Sequence, residues 1–119
     1  MRVYVSGPMT GLPQCNRSAF QVETARLRGL GHWVLDPTEL DFTPNETTTQ
    51  AEADAIWKAF LCRDVAMLLT CALDAIVVLP GWERSRGAKL EVHVAILSGM
   101  KVLKAGTGEE VFVPAMGVP

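Results

Sequence analysis

Glu91 lies within "LPGWERSRGAKLEVHVAILSG" (residues 79–99), a run of small and apolar residues just past a Gly- and Trp-containing loop. On a helix advancing about 100° per residue, Gly87, Ala88, Val94 and Ala95 surround it at i±3 and i±4 spacing. A second carboxylate, Asp64, interrupts an apolar stripe of Trp57, Leu61 and Leu68, the four falling within about 40° of one another. A carboxylate on an inward helix face must be partnered or must line a cavity. Two of them at one crevice supply a nucleophile and a proton donor, provided their environments hold one ionised and the other protonated. The plainer reading of each is a solvated partner of a helix dipole or a member of a structural network. Their place in the fold distinguishes these readings.

Other catalytic signatures fail on spacing. Between Gly81 and Gly87 there are five residues, and "GAKL" follows, so the phosphate-loop pattern is not met. "GLGHWV" lacks a third glycine and precedes a strand, so it is no dinucleotide fingerprint. There is no G-x-S-x-G elbow. Cys15, Cys62 and Cys71 form no C-x-x-C pair and read as free, packed thiols of a reducing compartment. His32 and His93 have no metal-ligand spacing with them, and no metal is expected. His93 lies about 200° round the helix from Glu91 and reads as solvated or at an interface.

The elements that must position the two carboxylates alternate between strand and helix. "RVYVSG" is β-branched and closed by Gly7-Pro8, a buried strand feeding a loop. Asn16 is placed to cap a helix running to about Leu30 and stopped by Gly31, with Phe20, Leu27 and Leu30 on its buried face. "HWVLDP" is a second short strand. Thr49 followed by Glu52 matches a capping box, so a second helix runs from there to about Ala72. "AIVVLP" is a continuous apolar strand closed by Pro80-Gly81. A third helix spans about Arg86 to Leu97 and ends at Gly99. "KVLK" is a fourth strand, and "EEVFVP" is a fifth or an extended tail. "TPNETTTQAEADA" reads as a surface loop or a mobile lid.

This order implies right-handed βαβ crossovers and an α/β, three-layer, doubly wound (Rossmann- or flavodoxin-like) domain over residues 1–119, with a parallel sheet of four to five strands. Such sheets bind ligands beyond the carboxyl ends of their strands, at the switch in strand order. That rule selects the loops after the first strand (residues 7–15) and after the third (residues 80–86). The third helix starts beside the second of these loops, and its N-terminal dipole favours an ionised Glu91. Trp82 either stacks on a base or anchors its loop on the core. Met9 either lines the pocket or fills a core gap.

The composition bounds partners. The 119 residues suffice for one domain with a core, and 49% hydrophobic with 20% charged residues is ordinary for a compact soluble domain. The formal charge of −2 and the scattered basic residues disfavour nucleic-acid binding, Arg84, Arg86 and Lys89 being the nearest thing to a patch. No apolar run has membrane-spanning length, and the N-terminus is not a signal peptide, so no membrane partner and a cytoplasmic location are expected.

"VYVSGPMTG", "RDVAMLLTCALDAIVVLPGWERSRGAKLEVHVA" and "GMKVL" together resemble the nucleoside 2-deoxyribosyltransferase superfamily. Within it they are most similar to a small phage and bacterial branch sharing a "SGPMTG" opening and an "LPGW-E-S-GA---E" signature. Deoxynucleoside 5'-monophosphate N-glycosidases belong to the same superfamily. The likeness covers most of residues 1–104 and is weak across 38–55. It implies a doubly wound parallel sheet and cleavage or exchange of the N-glycosidic bond of a (deoxy)nucleoside or its 5'-monophosphate, by hydrolysis or transfer. It assigns the nucleophile to Glu91, a hydrogen bond to that glutamate to Tyr4, assistance of the leaving base to Asp64, and contact with the sugar or its phosphate to Ser85. It implies a substrate site from Gly7, Pro8, Met9, Thr10, Gly11, Trp82, Ser85 and Gly87, no cofactor, and a homodimer or higher homo-oligomer, to which the apolar tail "VFVPAMGVP" is suited. Two departures stand out. Pro8 and Thr10 occupy places where nucleotide-hydrolysing members carry serine and arginine, leaving Arg84, Arg86 or loop amides as substitutes, and the C-terminus offers no clear residue to donate to a neighbouring subunit. A non-catalytic nucleotide or nucleotide-sugar binding module on the same fold is the alternative reading.

Overall fold

The computed structural model describes residues 1–41 and 49–113. Four strands, β1 (Arg2–Ser6), β2 (Trp33–Leu35), β3 (Ala75–Val78) and β4 (Lys101–Lys104), form one sheet in the order β2-β1-β3-β4. All three pairings are parallel. The chain therefore begins in the sheet interior, steps outward to β2, then crosses to β3 on the other side of β1. The reversal puts the switch point between the carboxyl ends of β1 and β3.

Side chains alternate across these strands and separate two apolar layers. Val3, Val5, Val77 and Leu79 pack with Phe20 and Leu27 of α1 (Arg17–Gly29). Tyr4, Ile76 and Val78 pack on the opposite face with Leu68 of α2 (Gln50–Thr70) and with Val92 and Ala95 of α3 (Arg86–Leu97). Both faces of the sheet are covered, as its continuously buried β3 requires. This is the expected three-layer fold.

Local chemistry accounts for the boundaries. Thr49 caps α2, its side chain accepting from the Glu52 amide at 3.1 Å. Ser85 caps α3 in the same way, accepting from the Ala88 amide at 3.2 Å. Gly7 is required by a close approach, since a Cβ there would lie 2.7 Å from Leu79 Cβ. Gly81 turns the chain out of β3 with φ of 87°.

Four expectations are corrected. Asn16 precedes α1 but does not cap it with its side chain. Its φ is 60°, and its Nδ2 donates instead to Pro8 O at 2.9 Å, bracing the loop after β1. Leu30 is 62% exposed, because α1 has ended and the chain has turned outward by that point. "EEVFVP" makes no fifth strand among the described residues. It returns antiparallel to β4 through a single bridge, Leu103 to Glu110, with the Val111 amide donating to Val102 O. Cys62 is exposed on α2 rather than packed, while Cys15 and Cys71 are partly buried, and all three thiols are free. Of "TPNETTTQAEADA", residues 43–48 fall outside the described residues, while Thr49 caps α2 and the rest, from Gln50 onward, belongs to that helix. The last six residues of "VFVPAMGVP" also lie outside them. No helix among the described residues is long and apolar enough to cross a membrane.

Candidate active site

Tyr4 and Ser6 are two residues apart on β1 and point to the same face, toward α3. Their hydroxyls donate to opposite ends of one carboxylate, Tyr4 to Glu91 Oε2 and Ser6 to Glu91 Oε1, each at 2.7 Å. Tyr4 and Ser6 have no exposed surface, and Glu91 retains 7%. That remnant opens onto a small cavity of about 120 Å³, which Asp64, Asp41, Gly7, Met9, Trp57 and Ala88 also line. Small residues on α3 make this possible. A Cβ on Gly87 would lie 3.9 Å from Leu61 and 4.0 Å from Trp57, so α2 and α3 meet closely here.

Burial pushes the Glu91 carboxyl up to about 8, aided by the neighbouring charge of Asp64 and opposed by the Tyr4 and Ser6 hydrogen bonds. With both oxygens accepting, the hydrogen bonds suit the ionised form, while the apolar surroundings resist it. Tyr4 is raised well above its ordinary value, by burial first and then by Glu91 and Asp64, so it remains a proton donor to Glu91. Asp64 is also raised, by burial, against the pull of Arg63. Arg63 donates to Asp64 Oδ1 through Nε at 2.9 Å and Nη2 at 2.7 Å, and to Asp41 Oδ1 at 2.6 Å.

A larger cavity of about 640 Å³ adjoins the first, sharing Met9, Thr10, Trp57, Ser85 and Gly87 with it. Pro8, Arg84 and Arg86 line only the larger one, whose wall carries no acidic side chain among the described residues. The crevice thus has a carboxylate end and a guanidinium end. The Arg86 guanidinium lies 5.3 Å from the Trp57 ring centre, a cation–π distance.

The structure brings together Tyr4, Asp64, Glu91, Gly7, Pro8, Met9, Thr10, Ser85 and Gly87. It does not bring in Gly11 or Trp82. Gly11 is exposed and lines neither cavity. Trp82 turns the other way, packing against the α3 face of the core and lining a separate recess with Lys104 and Val111. Trp82 thus packs where a loop anchor would, and the aromatic side chains lining the crevice include Trp57 and Phe60. Sequence reasoning missed Ser6, although its place two residues after Tyr4 puts both on one strand face. Arg63 and Asp41 carried no signal, since nothing in the spacing joins residue 41 to residue 63. No group of three or more metal-ligating side chains occurs among the described residues.

A parallel sheet with a switch-point crevice and buried carboxylates beside it places the chain in the class of doubly wound α/β folds, which take ligands beyond the carboxyl ends of their strands. Within that class, residues 1–104 match the family described as "Domain of unknown function (DUF4406)", and the chain belongs to it. A solved 2-deoxyribosyltransferase from the psychrotolerant bacterium Bacillus psychrosaccharolyticus shares the fold, with a TM-score of 0.54 and 19% identity over 94% of this chain and 77% of that one. No protein of curated function matches the chain.

Proposed function

We propose that this protein cleaves or exchanges the N-glycosidic bond of a (deoxy)nucleoside or nucleoside 5'-monophosphate through a covalent glycosyl ester on Glu91. The observation that carries this reading is the Glu91 carboxylate held between Tyr4 and Ser6 at a cavity wall that Asp64 shares. The fold shared with a 2-deoxyribosyltransferase supports it.

In the proposed mechanism an ionised Glu91 oxygen attacks the anomeric carbon as the C–N bond breaks and its electron pair leaves with the base. Asp64, raised by burial, delivers the proton that the departing base needs. Water or a second base then attacks the same carbon, giving its proton to the now ionised Asp64 and releasing Glu91, and two displacements give net retention. Tyr4 and Ser6 hold the nucleophile in line and stabilise the negative charge that returns to it as the ester breaks. A cavity of about 120 Å³ is too small for a whole nucleoside, so the remainder of the substrate occupies the adjoining space of about 640 Å³, where Trp57 offers a stacking face. Arg84 and Arg86 sit there to receive a 5'-phosphate in place of the missing residues after β1. The chain acts as a homo-oligomer in this reading, and sedimentation at micromolar concentration tests that part.

The test is a panel of nucleosides and 5'-monophosphates, with and without a second base, followed by chromatography. Base release or exchange is expected, lost in Glu91→Ala. Undiminished turnover in that variant overturns the mechanism. Thermal stabilisation by members of the panel without turnover favours the binding-module reading instead.

A further inference from the structure

Arg63 is the only charged group of α2 that touches Asp64, and its geometry is unusual for a surface ion pair. Two of its N–H groups converge on one oxygen, Asp64 Oδ1, while Nη2 also reaches Asp41 Oδ1 at 2.6 Å. The Asp64 and Asp41 side chains are only 8% and 7% exposed, and that of Arg63 is 28% exposed. The far side of the guanidinium lies 4.9 Å from the Phe60 ring centre. Asp41 is itself a wall residue of the cavity that holds Glu91 and Asp64. Resting on the functional reading above, we infer that Arg63 is a positioning residue: shared between Asp41 and Asp64, it fixes Asp64 Oδ1 and leaves Oδ2 as the oxygen available to the substrate.

The physical argument has two parts. A guanidinium is a rigid planar fork, so holding one oxygen with two donors and a second carboxylate with a third bond sets the Asp64 rotamer more tightly than a single contact would. A lysine ammonium keeps the charge and loses that fork. Charge is the second part. The groups facing Asp64 are Arg63 from its own helix, Asp41 from the segment after β2, Tyr4 from β1 and Glu91 from α3. Burial raises Asp64, Arg63 lowers it, and Asp41 raises it. Arg63 and Asp41 therefore act on the Asp64 proton with opposite signs.

Carboxyl-detected NMR titration of the full chain tests this without any substrate. In Arg63→Gln the Asp64 midpoint is expected to rise by about one unit, and in Asp41→Asn to fall, by the usual size of a neighbouring-charge effect. An Asp64 midpoint that stays still in Arg63→Gln, or that moves the same way in both variants, overturns the proposal. Should Arg63→Gln fail to fold, Asp41→Asn and Arg63→Lys decide. Arg63→Lys is expected to keep the midpoint near its wild-type value while kcat/KM falls about tenfold through lost orientation. Unchanged kcat/KM in Arg63→Lys overturns the orienting role. If the nucleoside panel shows no turnover, the functional reading falls, and the opposed titration shifts still decide whether Arg63 and Asp41 control Asp64.

Discussion

Asp36 and Glu91 are both buried carboxylates, 2% and 7% exposed, and both take hydroxyl donors. Asp36 accepts from the Thr24 hydroxyl at 2.9 Å, the Thr38 hydroxyl at 2.7 Å and the Thr38 amide at 2.9 Å. Those bonds join α1 to the turn after β2, and Asp36 lines neither cavity of the crevice. Glu91 accepts from Tyr4 and Ser6, and its remaining surface faces the small cavity that Asp64 also lines. Burial and satisfied hydrogen bonds are common to the two. What separates Asp36 from the proposed nucleophile is an open wall beside the latter. Glu23 falls on the structural side, clamped by Arg26 at 2.7 Å and 2.8 Å and by the Gly106 amide.

The sharpest way to break this comparison is to exchange each carboxyl for its amide. Glu91→Gln is expected to lower turnover by a thousandfold or more, on the order of a lost nucleophile. It should fold normally, because the Tyr4 or Ser6 hydroxyl can rotate to accept from the new amide. Asp36→Asn is expected to do the reverse: a loss of about 1–3 kcal/mol in denaturant unfolding, since three donors converge on it and an amide offers one acceptor oxygen in place of two, with turnover per folded molecule unchanged. Comparable losses of turnover in both variants would erase the distinction.

Acidity sharpens it further. The folded chain holds the Glu91 proton more tightly than the unfolded chain does, with midpoints of about 8 and 4.5. Between those values the folded state binds the extra proton, so this group's contribution to stability is present below about 4.5 and is lost as pH rises toward about 8. Unfolding of the wild type against Glu91→Gln across that range should show a wild-type disadvantage that grows with pH. Activity responds differently, because the proposed nucleophile must be ionised while Asp64 must keep the proton it delivers: kcat/KM should climb as Glu91 ionises, pass through a maximum, and fall as Asp64 loses its proton. A flat profile from pH 5 to 9 would count against Glu91 as the nucleophile.

Smaller effects belong to the groups around the pair. Tyr4→Phe removes a hydrogen bond that favours ionised Glu91, so the kcat/KM profile should move to higher pH and fall about tenfold at pH 7. Trp82→Phe, on the far side of the sheet end, should alter KM for the panel by less than about twofold, whereas Trp57→Ala should raise it by about tenfold. Equal effects at the two tryptophans would contradict the placement of the crevice wall.

Much of this architecture is legible along the chain because it depends on local chemistry. Thr49 and Ser85 accept from amides three residues on, the apolar run at residues 75–79 makes a buried strand, and glycines end α1 and α3. These decide where elements begin and stop, and the observed bounds of α3 coincide with its expected ones. The strand-helix alternation then restricts the sheet to parallel pairing with a ligand crevice at its carboxyl edge. Glu91 and Asp64 are visible as charges on faces that must be buried, and helical periodicity is enough to see that.

Tertiary structure alone decided the rest, because it rests on contacts between residues distant in the chain. Tyr4 and Ser6 meet Glu91 across separations of 87 and 85 residues. Asp41 reaches Asp64 only through Arg63. Trp57, expected on the apolar stripe of the second helix, faces the crevice, and Trp82, in an expected ligand loop, faces away from it. Which charged side chain borders open space depends on how two helices seat on one sheet face, and no local pattern records that distance.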